Sequence, residues 1–96
     1  MLNRIMEIIA FWGGVDKEQL TPTGDFYEET GEPDPKISPL HAAELGGLIK
    51  YGLNVDFPDQ ELMTARTPEQ IMELIRKYQA VPRFSIFRGS ITSAPY

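Results

Sequence analysis

Apolar residues recur with the spacing of α-helices in three segments of the chain. The first segment has apolar residues at positions 2, 5, 6, 9 and 12, which form one helical face. Gly13-Gly14 follows, and such a pair is typical of a left-handed C-terminal cap. Beyond it, Leu20 and Phe26 are predicted to point into the core. Residues 27–36 are predicted to form a loop because they hold two prolines and a glycine among polar side chains.

A second helix is predicted between Ser38 and Gly52. Ser38 suits the N-cap, Pro39 suits the first helical position, and Gly52 closes the segment. Its apolar face is predicted to comprise Leu40, Leu45, Leu48 and Ile49. Gly46-Gly47 interrupts this helix, although each internal glycine costs about 1 kcal/mol relative to alanine. The pair indicates either a close helix crossing or a thin helix wall that a partner molecule can approach.

The strongest start signal for a helix lies at residues 67–70, which read Thr-Pro-Glu-Gln. The stretch combines a capping residue, a proline at the first helical position, an acid at the positive helix end and a glutamine three residues after the cap. The apolar residues that follow share one helical face, and they are Ile71, Leu74, Ile75 and Tyr78. This helix is predicted to end near Tyr78. Residues 53–62 are predicted to be an extended link that Pro58 stops.

The pattern changes after Val81-Pro82, where apolar and polar residues alternate as in a strand or an extended arm. A single strand is not stable alone in water. The arm is therefore predicted to pack on its own helices, to pair with a second copy of the chain or to bind another partner. We expect an all-α protein: a small three- to four-helix bundle over residues 1–79 and a basic, apolar C-terminal extension over residues 80–96.

Length, composition and charge narrow the classes of function. Ninety-six residues make one domain, and no apolar run approaches the roughly 18 residues that cross a membrane, so a cytoplasmic protein is expected. The net charge of −5 argues against nucleic acid as a partner. The chain has no cysteine and only one histidine, His41, so we expect no metal site and no catalytic nucleophile–base pair. His41 is predicted to be a surface or partly packed imidazole.

Taken in order, three stretches of the chain resemble the acyl carrier proteins and the related peptidyl carrier domains. The stretches are RIMEIIAFWGGVDKEQLTPTGDFYEETG, LHAAELGGLIKYGLNVDFPDQEL and TPEQIMELIRKY. The residues in register with that family are Glu44-Leu45, Phe57-Pro58-Asp59 and Thr67. The resemblance covers residues 4–31 and 40–78, and it implies the helical bundle of a carrier protein rather than an enzyme.

The resemblance also points to the start of the second helix. There the family carries Asp-Ser-Leu, whose serine hydroxyl holds 4′-phosphopantetheine. Counting back from Glu44 puts Pro39 at the position of that serine and Ser38 at that of the aspartate, after a loop that is longer than usual. Two interpretations follow. Either Ser38 only caps the helix, or Ser38 carries the arm at a helix N-terminus, which favours a phosphodiester.

The resemblance implies two hypotheses of function. In the first, the attachment site is degenerate, no cofactor is bound, and the domain is a non-catalytic module that binds a protein partner with a basic surface. In the second, the chain is a working acyl or aminoacyl carrier of a biosynthetic pathway, with 4′-phosphopantetheine on Ser38 and with Leu45 and Ile49 lining the acyl side. Small size and negative charge alone suggest a third, an inhibitor or immunity-type protein that blocks a basic active site.

Candidate partner-binding residues come from three regions of the sequence. The long loop concentrates acids, the second helix offers one acid to partners, and the tail offers apolar residues. The candidates are Glu28, Glu29, Glu32, Asp34, Glu44, Phe84 and Ile86. The spacing of the loop acids matches no calcium-binding pattern, so the loop is predicted to be either solvated or a docking surface. The tail is a candidate contact for a homodimer.

Overall fold

The computed structural model describes residues 1–79, which form five α-helices and a short 3-10 turn. The helices are α1 (Leu2–Gly13), α2 (Phe26–Thr30), α3 (Pro39–Leu53), α4 (Asp59–Leu62) and α5 (Pro68–Gln79), and the turn spans Lys17–Gln19. No strand occurs within these residues, so the predicted all-α fold is confirmed. The strand or arm predicted around Phe84 and Ile86 lies outside the described residues. Within residues 1–79, none of the helices combines the length and the apolar character needed to span a membrane.

The core forms where α1 packs against both α3 and α5. Each of these helices buries aliphatic side chains from one face, and the fully buried ones are Ile5, Ile9, Leu45, Ile49, Ile71 and Ile75. Burial of apolar surface contributes roughly 25 cal/mol per Å² removed from water, so this three-helix contact is the main source of stability. Leu20 and Phe26 are also buried, as the sequence predicts.

The predicted end of α1 and the predicted start of α5 are confirmed in detail. Gly14 has φ of 70° and its N–H donates to the carbonyl of Ala10, which gives the left-handed cap. At the start of α5, the Thr67 hydroxyl accepts the Gln70 N–H at 3.1 Å. The Gln70 side chain reaches back and accepts the N–H of Arg66 at 2.7 Å, one residue before the cap. Local sequence signals therefore set both helix ends.

Three details of the predicted elements are wrong. The loop predicted from residue 27 begins with α2, whose N-cap is Asp25, and the Asp25 carboxylate accepts the N–H groups of Tyr27 and Glu28. The link predicted at residues 53–62 contains α4. Helix α3 runs past Gly52 and ends where Asn54 adopts φ of 55°. Helices of four or five residues are too short to produce a recognisable apolar period, which is why α2 and α4 were not predicted.

The two central glycines of α3 have different surroundings. A Cβ atom at Gly46 would lie 3.0 Å from Oδ1 of Asp59 and 3.2 Å from Cδ2 of Leu62, so α4 approaches α3 closely at this position. A Cβ atom at Gly47 would meet nothing within 4 Å. The predicted close helix crossing is therefore confirmed at Gly46. At Gly47 a side chain would point into open space.

Candidate functional site

Ser38 occupies the N-cap position of α3, but its side chain does not cap the helix. The Ser38 carbonyl accepts the His41 N–H at 3.0 Å, as expected of an N-cap residue. The hydroxyl forms no hydrogen bond to a backbone N–H of α3 within the described residues. It lies 2.8 Å from Nδ1 of His41 instead. The prediction that the Ser38 side chain serves as a cap is therefore wrong. The hydroxyl forms its hydrogen bond with the imidazole of His41, one turn further along the helix, and not with a backbone N–H.

His41 joins Ser38 to an acid from the preceding loop. Nε2 of His41 lies 3.4 Å from Oε1 of Glu32, and both side chains are about three-quarters buried. In the tautomer that carries its proton on Nε2, Nδ1 accepts the Ser38 hydroxyl proton. The His41 imidazole is partly packed, in agreement with one of the two placements that the sequence predicts. The spacing of Ser38 and His41, three residues apart at a helix start, is the signal that could have revealed their contact.

Arg66 fixes the loop that leads to Ser38. Its Nε lies 2.7 Å from Oδ2 of Asp25, and its Nη1 lies 2.9 Å from Oδ2 of Asp34. The guanidinium also lies over the Tyr27 ring, 5.1 Å from the ring centroid. One side chain, from the segment before α5, thus holds the N-cap of α2 and the loop before α3 together. Sequence reasoning did not identify Arg66.

Asp34 is a structural residue of this loop. Its Oδ1 accepts the Lys36 N–H at 2.9 Å, and its carbonyl accepts the N–H groups of Ile37 and Ser38. The Lys36 N–H, followed by the charge and hydrogen bond of Arg66, holds the pKa of the Asp34 carboxyl below its usual value. The side chain that was predicted to bind a partner therefore also builds the turn that presents Ser38.

The remaining acidic candidates lie on the surface. Glu28 and Glu29 are exposed on α2, and Glu44 is exposed on α3, while the Glu32 side chain is about three-quarters buried and lies beside His41. The candidates Phe84 and Ile86 lie outside the described residues. The structure therefore places three predicted acids where a partner can reach them and uses two, Glu32 and Asp34, in contacts within the domain.

Exposed apolar residues lie close to Ser38 in the sequence. Ile37 is 81% exposed and Leu40 is 65% exposed. The prediction that Leu40 belongs to the buried face of α3 is wrong, because five residues place it about 140° around the helix from Leu45. Ala42 takes its place on the buried face, three residues before Leu45. Leu45 and Ile49 are fully buried, as the apolar pattern predicts.

The start of α3 combines a serine and a proline. Pro39 has no hydroxyl and begins the helix. Ser38 has a hydroxyl, which lies 2.8 Å from Nδ1 of His41. Ser38 is also the only hydroxyl-bearing residue between Asp34 and Leu48.

A comparison with known proteins identifies a relative over most of the chain. The acyl carrier protein of Syntrophobacter fumaroxidans (strain DSM 10017 / MPOB) is 30% identical over 80 residues, which cover 83% of this chain and 93% of that protein. No protein-family profile matches the chain. No solved structure matches it significantly. The identity and its coverage, together with the all-helical fold, show that the chain belongs to the acyl carrier protein family.

Proposed function

We propose that this member of the acyl carrier protein family carries no phosphopantetheine arm and acts in the cytoplasm as a non-catalytic module that binds a protein partner. The observation that carries the proposal is Pro39 at the first position of α3, where the family has its serine.

The charge of the exposed surface supports a partner with a basic face. The chain has a net charge of −5, and Glu28, Glu29 and Glu44 are exposed on α2 and α3. Opposite charge on a partner would accelerate association, and the effect would weaken as salt is added. Binding that loses affinity with rising ionic strength and with charge removal at these three residues is the behaviour expected of this surface.

Exposed aromatic residues provide apolar contact area on the same domain. Phe11 is 79% exposed and Tyr51 is 91% exposed. The two residues border a groove of about 270 Å³ between α1 and α3, with Ile8 and Leu48 in its lining. Large aromatic side chains are enriched at protein interfaces, so this groove supports an interaction role better than a role that needs only a soluble carrier.

Transferase labelling tests the proposal. The protein is incubated with coenzyme A and a broad-specificity phosphopantetheinyl transferase, and its intact mass is then measured. We expect no mass increase for the native chain. The matched variant Ser38→Asp with Pro39→Ser restores Asp-Ser-Leu at the same helix start, and we expect it to gain one arm. Addition of one arm to Ser38 of the native chain would overturn the proposal.

The alternative function is a working acyl or aminoacyl carrier with 4′-phosphopantetheine on Ser38. The observation that favours it is the position of Ser38 directly before the 15-residue helix α3, with a hydroxyl that caps no backbone group in the described residues. In that case the native chain would be loaded in the same assay. Ser38→Ala would then abolish loading while circular dichroism showed an unchanged helical fold.

We further propose that residues 80–96 form a separate extension of the bundle that takes part in binding. The support is the basic and apolar character of the sequence after residue 79. Deletion of residues 80–96 is expected to change the oligomeric state or partner binding and to leave the melting temperature of the bundle unchanged. If neither the oligomeric state nor partner binding changes, the extension has no such role.

A further inference from the structure

The side chains of Ser38, His41 and Glu32 are arranged as a nucleophile, a base and an acid that orients the base. The Ser38 hydroxyl lies 2.8 Å from Nδ1 of His41, and Nε2 of His41 lies 3.4 Å from Oε1 of Glu32. We propose that Ser38 is a nucleophile that takes an acyl group directly from an activated ester or thioester and holds it as an oxyester. The chain would then accept an acyl group without a prosthetic arm.

The proton inventory of the three residues fits this reaction. With the His41 proton on Nε2, beside the Glu32 carboxylate, Nδ1 accepts the Ser38 proton as the serine oxygen attacks the acyl carbonyl carbon. The new bond joins the Ser38 oxygen to that carbon, and the bond from the carbon to the leaving thiol or alcohol breaks. The proton on His41 Nδ1 passes to the leaving group. No oxidant or reductant is needed, and the product is a neutral ester on Ser38.

The start of α3 provides stabilisation for the developing oxyanion. The Ser38 side chain leaves the first N–H groups of α3 uncapped within the described residues, and Pro39 has no N–H, so the first amide donor of the helix belongs to Leu40. The positive end of a helix favours negative charge. An oxyanion formed on an acyl group at Ser38 would therefore develop next to a favourable backbone dipole.

The surroundings of Ser38 indicate which acyl groups it would accept. Ile37 directly precedes Ser38 and Leu40 follows it by two residues, and both are largely exposed, so each has apolar surface available for contact. An acyl chain of several carbons can cover these side chains, whereas an acetyl group is too short to cover both. We expect Ser38 to favour medium-length apolar acyl groups over acetyl.

Glu32 is a positioning residue in this scheme, because it contacts His41 and does not contact the hydroxyl oxygen or the acyl group. Its expected role is to fix the imidazole tautomer. Replacement by Gln should slow acylation, and replacement by Asp should restore part of the rate because a carboxylate is retained. If Glu32 had only a structural role, the Gln and Asp substitutions would change the melting temperature and not the rate of acylation.

This inference rests on the proposed function, since it needs a Ser38 hydroxyl that carries no arm. The protein is first checked by intact mass, because an arm on Ser38 would contradict the proposed function itself. A chain with free Ser38 that fails to react would contradict this inference alone.

Acylation by activated esters tests the inference. The full chain is incubated with p-nitrophenyl octanoate or p-nitrophenyl acetate, nitrophenolate release is followed by absorbance, and the acylated residue is located by peptide mass mapping. We expect one octanoyl group per chain, on Ser38, and faster reaction with the octanoyl ester than with the acetyl ester. His41→Gln should slow acylation about 100-fold, in the range measured for general bases.

The controls separate the reaction from unfolding and from general reactivity. Glu18→Gln removes an exposed acid remote in sequence from the site and should leave the rate unchanged. Circular dichroism is recorded for every variant, and labelling of the native chain with a fluorophosphonate provides a readout that needs no variant. Labelling of residues other than Ser38, or an equal rate in folded His41→Gln, would overturn the inference.

Discussion

The hydroxyl of Ser38 and the Nδ1 atom of His41 lie 2.8 Å apart on the first turn of α3. The contact uses the only histidine of the chain and the residue immediately before Pro39. Because Glu32 lies on the far side of the imidazole, the hydroxyl belongs to a three-residue arrangement rather than to the cap of the helix. The chemistry proposed for this end of the bundle follows from that arrangement.

The Arg66 bridge is expected to stabilise the loop before α3. Arg66→Ala removes two charge-assisted hydrogen bonds and the contact with the Tyr27 ring, and should lower the free energy of unfolding by about 1–2 kcal/mol, allowing for partial exposure of the pairs. Urea denaturation measures the change. The matched control is Arg4→Ala, because Arg4 and Glu7 form an exposed pair at 3.4 Å. That change should cost less than about 0.5 kcal/mol. Equal losses in both variants would contradict the bridging role of Arg66.

The contribution of Asp34 to stability should depend on pH. The Lys36 N–H and Arg66 lower the pKa of Asp34 in the folded state below 3.8, its ordinary value, so the stabilisation is present above that value and is lost as the pH falls through the folded pKa. Asp34→Asn should therefore reduce the free energy of unfolding at neutral pH and have a shrinking effect under increasingly acid conditions. Urea denaturation of both proteins across this range measures the difference. A difference that does not vary with pH would contradict the assignment.

The central glycines of α3 should respond differently to alanine. Gly47→Ala adds a methyl group in open space and should stabilise the protein by about 1 kcal/mol through helix propensity. Gly46→Ala places a Cβ atom against Asp59 and the fully buried Leu62, so the gain should be cancelled or reversed. Thermal denaturation compares the two variants directly. The same change in melting temperature for both would argue against close packing of α4 on α3.

The hydroxyl of Tyr27 should limit stability at alkaline pH. Tyr27 is buried, and its hydroxyl has no hydrogen-bond partner in the part of the chain that the structure describes. Burial raises the pKa of Tyr27 from 10.0 to about 12. The stability that depends on the neutral Tyr27 side chain is therefore fully present below pH 10.0 and is lost as the pH rises through about 12. Urea denaturation should show stability falling over this range in the native protein.

Tyr27→Phe provides the matched variant for that prediction. It should weaken the alkaline loss of stability and should cost little at neutral pH, because no hydrogen bond within the described residues is removed. An unchanged alkaline profile in Tyr27→Phe would show that another group causes the loss.

The long helices were predictable because their signals are local. Gly14 ends α1, Ser38-Pro39 precedes or begins α3, and Thr67-Pro68 marks the start of α5, each through backbone geometry that neighbouring residues determine. Helices α2 and α4 were missed because four or five residues show no clear period. The family resemblance depends on the order of these same segments, and the comparison with the curated relative confirms it.

The candidate site was predictable only in part. The sequence drew attention to Ser38 because it precedes a helix, but the choice of its hydroxyl between a backbone N–H and His41 depends on side-chain geometry. Glu32 reaches His41 through the path of a loop that contains two prolines, and Arg66 lies 41 and 32 residues from its two partners. Contacts of this range depend on the packed bundle, which no local pattern encodes.

The intact mass of the protein isolated from its own cells tests the central claim most directly. The account predicts the mass of the unmodified polypeptide, or of that polypeptide with an acyl group as an ester on Ser38. A mass increase equal to one 4′-phosphopantetheine group, located on Ser38 by peptide mapping, would contradict it.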